Sequence, residues 1–149
     1  SKRIMAYRLT IPYINLLMDI GYTVLFNYIE AILNIYGFDI YKGNLHKEFY
    51  KRKSLVCDMI EPFRPIVDYK IRKCINLRQL DNYKYTVDNG QYHIDWKDGA
   101  NFMLLILEAI NEYKKEIFEY IQQYYRWIMK EKEMCDFPRV VLTNDTDKL

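Results

Sequence analysis

Glycine and proline are scarce, at five and four in 149 residues. That excludes collagen-like repeats and low-complexity linkers, which need far more of both. Cysteine is scarcer still. Cys57, Cys74 and Cys135 are odd in number and widely spaced, with no C-x-x-C pair. They suit neither a disulfide framework nor a structural zinc site, and they point to a reducing, cytoplasmic setting. A strong excess of one charge is also missing. Lys and Arg number 22 against 20 Asp and Glu, a net of +2, which argues against a basic nucleic-acid coat while leaving room for a local basic patch. The most apolar stretch, Leu9 to Phe38, is broken by Pro12, Asp19 and Glu30. No uncharged run is long enough to read as a membrane span, and a signal peptide is a poor match because no small-residue cleavage site follows.

What remains is a globular composition: 50% hydrophobic, 28% charged, with 15 Tyr and 7 Phe. Disorder is excluded on that ground, and the length suits one domain or part of a larger chain. Leu16, Leu17, Ile20, Val24, Ile29, Leu33 and Tyr36 recur at helical spacing and predict a first helix from Pro12 to Tyr36, buried on most sides, with Gly37 as its C-terminal cap. A loop from Phe38 to Lys53 follows. Ser54 is the expected N-cap of a second helix, Leu55 to Leu77, which Pro62 and Pro65 make irregular or force to restart. Tyr83–Val87 and Gln91–Trp96 alternate around Asp88-Asn89-Gly90 and predict a hairpin with a three-residue loop. A third long helix is expected from Asp98 or Asn101 to near Lys132. The fold class is therefore mainly α, a bundle-like helical domain over 1–136 with one small β-hairpin, and a polar, flexible tail over 137–149.

One face of the second helix is chemically distinctive. Glu61, Asp68 and Arg72 lie within about 80° of Asp58 on a helical wheel, with Arg64 beside them and the apolar residues opposite. Carboxylates spaced three residues apart repel one another, and a divalent cation between them reverses the sign. Carboxylate oxygens suit Mg²⁺ or Mn²⁺, and an imidazole is compatible with Mn²⁺. His46 stands twelve residues before Asp58, with Lys47, Lys51, Arg52 and Lys53 between them. That basic cluster suits phosphate. On spacing alone such a stripe is more often a solvated helix face, with Arg64 pairing Asp68, and a loop His is more often an ordinary surface residue. His93, in a strand, reads as structural. No G-x-S-x-G, Walker loop or G-x-G-x-x-G is present. The Tyr-rich stretch Tyr113, Tyr120, Tyr124, Tyr125 and Trp127 suits core or base stacking.

The wording of two segments goes further. Gly43-Asn44-Leu45-His46, followed by the run from Ser54 through Asp58-Met59-Ile60-Glu61-Pro62-Phe63-Arg64-Pro65-Ile66-Val67-Asp68, strongly resembles the CRISPR-associated integrase Cas1. Asn15-Leu16-Leu17 with Gly21-Tyr22 and Leu25 resembles that family's preceding helix. Ile117 to Ile121 with Tyr124-Tyr125-Arg126 resembles the end of its helical domain. The resemblance implies a metal-dependent DNA nuclease and integrase of spacer acquisition, using Mg²⁺ or Mn²⁺. His46 and Asp58 match the metal ligands and Glu61 an acidic position beside them. Lys51, Arg52, Lys53 and Arg64 are the candidates for phosphate contact. The implied partners are prespacer and repeat DNA, a Cas2-like protein and, for the whole protein, a second Cas1 copy. The family's Glu ligand and its β-rich dimerisation domain lie upstream of the matching segments. The chain is accordingly expected to correspond to the C-terminal part of such a protein, inactive or weak alone. The alternative is a helical module on the same scaffold that binds DNA or protein without chemistry.

Overall fold

The computed structural model describes residues 11–42, 53–129, 137–140 and 142. The order of elements is α1 (Ile11–Ile35), α2 (Ser54–Ile60), a 3₁₀ turn (Glu61–Phe63), α3 (Arg64–Asn76), β1 (Tyr85–Asp88), β2 (Gln91–Ile94), α4 (Trp96–Glu112) and α5 (Lys114–Met129). The mainly α class with a single antiparallel hairpin is as expected. The chain divides into two compact units, Ser1–Asn27 with Arg64–Asn111, and Tyr28–Phe63 with Glu112–Leu149.

α1 contributes to both units. Tyr13, Leu17, Gly21, Leu25, Ile29 and Leu33, at every fourth residue, are buried together with Ile32, while Ile11, Asn15, Asp19, Thr23, Asn27 and Ala31 are exposed. All remaining positions from Tyr13 to Leu33 are buried or half-buried, so the helix is covered on most sides, as expected, with one exposed stripe. By length and composition alone α1 is apolar enough to cross a membrane, but its buried positions follow an i, i+4 ridge of the kind by which helices pack against neighbouring elements. Its end is a Schellman motif. The Phe38 N–H bonds the Leu33 carbonyl and the Gly37 N–H bonds that of Asn34, with Gly37 at φ +74°.

In the first unit, Gly21 faces Val67, Ile71 and Ile106 closely enough that a Cβ would lie 2.5 Å from Val67 Cγ1. Tyr13 stacks on Tyr85 at 4.5 Å, and Tyr85 on Tyr92 at 5.6 Å. The hairpin pairs Tyr85 with Ile94 and Asp88 with Gln91. Its loop has two residues, not three, because Asn89 (φ +48°) and Gly90 (φ +80°) adopt the left-handed pair a type I′ turn requires. α4 begins at Trp96, earlier than expected. The Asp95 carboxylate accepts the Lys97 N–H as an N-cap, and the Asp98 carboxylate accepts the Lys84 N–H. α3 ends in a second Schellman motif with Arg78, at φ +55°, in the position glycine usually fills.

In the second unit, Ser54 is the first helical residue of α2 and not its cap. Lys53 holds the cap position without a side-chain bond, and the Ile40 carbonyl accepts the Leu55 N–H instead. The Ser54 hydroxyl is thereby buried without a hydrogen-bond partner among the described residues. The single third helix is corrected to two, α4 and α5, separated at Tyr113. No glycine or proline marks that break, and nothing in the local sequence explains it. Ile117, Tyr120, Ile121, Tyr124 and Trp127 form the buried stripe of α5, with ring contacts from Phe38 to Tyr124 and from Phe63 to Tyr120.

Candidate metal and phosphate site

The two prolines decide the local geometry. Pro62 lies in the 3₁₀ turn and Pro65 in the first turn of α3, where its missing N–H costs little. The predicted helix thus restarts at Arg64, and the acidic stripe is divided between the two units. Asp58, on α2 in the second unit, is only 3% exposed, and Glu61, in the 3₁₀ turn, is exposed. Both line a cavity of about 410 Å³. Tyr120 of α5 and the segment Phe137–Val140 form further walls of the same cavity. Burial, with the Asp58 charge nearby, raises the Tyr120 phenol above its ordinary value.

Asp68 belongs to the first unit and takes part in a different arrangement. It accepts a hydrogen bond from the Tyr22 hydroxyl at 2.5 Å, and the Arg64 guanidinium lies over the Tyr22 ring, 4.7 Å from its centre. Arg64, Tyr22 and Asp68 thus form a cation–aromatic–carboxylate stack. The i+4 pairing of Arg64 with Asp68 is replaced by this bridge through Tyr22. Lys53 forms an ion pair with Glu30, which raises the ammonium above its ordinary value through the hydrogen bond. His46, Lys51 and Arg52 lie outside the described residues. His93 is exposed on β2, paired with Thr86.

A buried carboxylate opening on a cavity, with a second carboxylate at its rim, supplies hard oxygen donors of the kind Mg²⁺ and Mn²⁺ take. Asp58 and Glu61 fit such an ion chemically. They do not complete its shell, since no group of three or more His, Cys, Asp or Glu side chains converges among the described residues. The sequence reading missed Tyr120 as a wall of this cavity, although it stood in the Tyr-rich stretch. It also missed the Phe137–Val140 segment, for which Phe-Pro in a polar tail was the only signal.

The mainly helical fold with its one hairpin has counterparts among solved structures. A casposase bound to integration product superposes with a TM-score of 0.75 at 22% identity, over 87% of this chain and 42% of that one. A chain of a partial Cas6-RT-Cas1–Cas2 complex superposes at 0.70 and 21%, over 91% and 45%. These likenesses define the fold. The family described as CRISPR associated protein Cas1 matches residues 11–105, and the chain belongs to that family. It is similar to a CRISPR-associated endonuclease Cas1 of Leptospira interrogans, 39% identical over 44% of this chain and 26% of the relative. A Cas1 endonuclease of Thermus thermophilus is 33% identical over 64% of this chain and 26% of the relative. One from Thermodesulfovibrio yellowstonii is 25% identical over 81% and 39%. The chain therefore spans between about a quarter and two fifths of these relatives' lengths.

Proposed function

We propose that this chain is the helical catalytic portion of a Cas1-type DNA nuclease and integrase, acting in spacer acquisition with a Cas2-like partner and, in the whole protein, as a homodimer in the cytoplasm. The observation that carries the reading is the burial of Asp58 against a cavity shared with Glu61, inside the string of residues that matches the family. Asp58 and His46 are the metal ligands of this reading, and Glu61 stands beside them. A Mg²⁺ or Mn²⁺ ion bound there would supply Lewis-acid activation of a phosphodiester oxygen. The residues of the chain do the rest. Asp58, held in one orientation by its burial, fixes the donor geometry. Tyr120 keeps its proton at neutral pH and remains a hydrogen-bond donor at the cavity wall. Lys51 and Arg52 precede α2 in the chain and offer charge to the phosphate backbone. Lys53 and Arg64, already engaged with Glu30 and Tyr22, contribute to phosphate contact only by exchanging those partners. The integration product bound by the casposase and the Cas2 of the second complex support these partner classes.

The test is thermal unfolding with and without Mn²⁺ for the wild type, His46→Ala and Asp58→Asn. Metal at about 100 times its dissociation constant stabilises by about 2.7 kcal/mol, which for a chain of this size is on the order of 5–11 °C. The expected result is a shift in the wild type that both variants lose. An equal shift in all three refutes the assigned ligands, and no shift in the wild type shows that these donors do not hold the ion without a further ligand.

A further inference from the structure

The cavity that Asp58 and Glu61 line is also lined by a short segment, Phe137–Val140, that has no part in the proposed metal site. Phe137 packs edge-on against Trp127 at 5.0 Å and against Tyr124 at 6.2 Å. Pro138 is buried. Both neighbours are anchored in turn, since Tyr124 and Trp127 belong to the buried stripe of α5. A ring seated in an aromatic cluster and a buried proline with its own φ locked anchor the backbone that carries the next residue. That residue is Arg139. It is exposed, it lines the same cavity as Asp58 and Glu61, and it forms no ion pair with a described residue.

The charge distribution is therefore polar across one cavity of about 410 Å³, with carboxylates on one wall and a guanidinium on another. A phosphodiester approaching Asp58 and Glu61 alone is repelled. A guanidinium on a residue of the same cavity offsets that repulsion and offers two parallel N–H donors to the phosphate oxygens. We infer that Arg139 is a DNA phosphate-binding residue of this site, and that Phe137 and Pro138 are the positioning residues that aim it. The inference rests on the reading of the chain as DNA-acting, and it extends the phosphate contacts beyond the basic cluster before α2.

The experiment is fluorescence anisotropy of a fluorescein-labelled DNA duplex titrated with the full chain in EDTA, over a series of salt concentrations. Metal-free conditions separate this test from the metal ligands. Arg139→Ala is expected to weaken binding several-fold and to make the slope of log K against log salt shallower by about 0.9, the loss of one phosphate contact. Arg139→Lys keeps the slope and recovers only part of the affinity, because an ammonium lacks the fork. Phe137→Ala weakens binding although every charge remains. A changed melting temperature with an unchanged salt slope would assign Arg139 a merely structural role and overturn the inference. So would wild-type binding by both Arg139 variants, which would leave the DNA-acting reading standing. Failure of the wild type to bind at all would overturn both.

Discussion

Gly21→Ala tests the closest contact in the first unit. On helix propensity alone the substitution stabilises α1 by about 1 kcal/mol. The structure predicts the opposite sign. The new Cβ would meet Val67 Cγ1 at 2.5 Å, with the Cδ1 atoms of Ile71 and Ile106 both at 3.7 Å. Val67 is fully buried in α3, and a β-branched side chain in a helix has essentially one χ1 rotamer to occupy. It cannot swing aside, so relief requires α1 and α3 to move apart. Overpacking of this kind costs about 1–3 kcal/mol. The net effect is neutral to about 2 kcal/mol destabilising, read from urea denaturation as a lower midpoint at unchanged m-value. The partner variant makes the argument sharp. In a Val67→Ala background the clashing methyl is gone, and Gly21→Ala should then raise stability by about 1 kcal/mol. The double-mutant cycle should report a coupling on the order of 1–3 kcal/mol. A stabilising Gly21→Ala in the wild-type background, or an additive cycle, refutes the close-contact account.

Two further outcomes follow from single positions in the same unit and from the caps of the helices. Tyr13 is buried with its hydroxyl unpartnered among the described residues, and burial followed by the charge of Asp98 pushes its phenol up to about 12. The folded protein thus keeps this proton after the unfolded chain has lost it near pH 10, so the associated stability is complete below pH 10 and drains away as pH rises towards 12. Tyr13→Phe should be at least as stable at pH 7, because a buried unmatched hydroxyl is removed. It should also lose less stability between pH 10 and 12 than the wild type, by up to about 3 kcal/mol; parallel pH–stability curves would contradict this. The caps give opposite signs at equivalent positions. Arg78→Gly relieves a left-handed non-glycine residue and should stabilise by about 0.5–1 kcal/mol, whereas Gly37→Ala should destabilise by about 1 kcal/mol; chemical denaturation of both variants, read as midpoints, checks the pair.

The legible features of this chain were local ones. The helical spacing of α1, the glycine cap at Gly37 and the hairpin around Asn89-Gly90 each depend on residues within a few positions of one another, and all three elements are present, although the hairpin loop has two residues where three were expected. The disruptive effect of Pro62 and Pro65 was equally readable, since a missing N–H acts on its own turn. The order of residues around Asp58 and Glu61 was enough to suggest the family. Three expectations failed where a long-range partner displaced a local one. Ser54 carries a good capping side chain, but the Ile40 carbonyl takes that role. Arg64 and Asp68 have ideal i+4 spacing, yet Tyr22 from α1 stands between them. Lys53 belonged to a basic cluster in the sequence and is bound to Glu30 in the structure.

The candidate site follows the same division. That residues 58 and 61 are acids, and that a histidine and basic side chains precede them, is a property of the sequence alone. That Asp58 is buried, that Tyr120 and Phe137–Val140 wall its cavity, and that Asp68 belongs to a separate unit are decided only by tertiary packing. The physical reason is that periodicity and capping are set by backbone geometry over one or two turns. Burial and side-chain pairing depend instead on which distant segments displace water from the same surface, here the aromatic cluster of Tyr124, Trp127 and Phe137, which brings Arg139 to the cavity that holds Asp58.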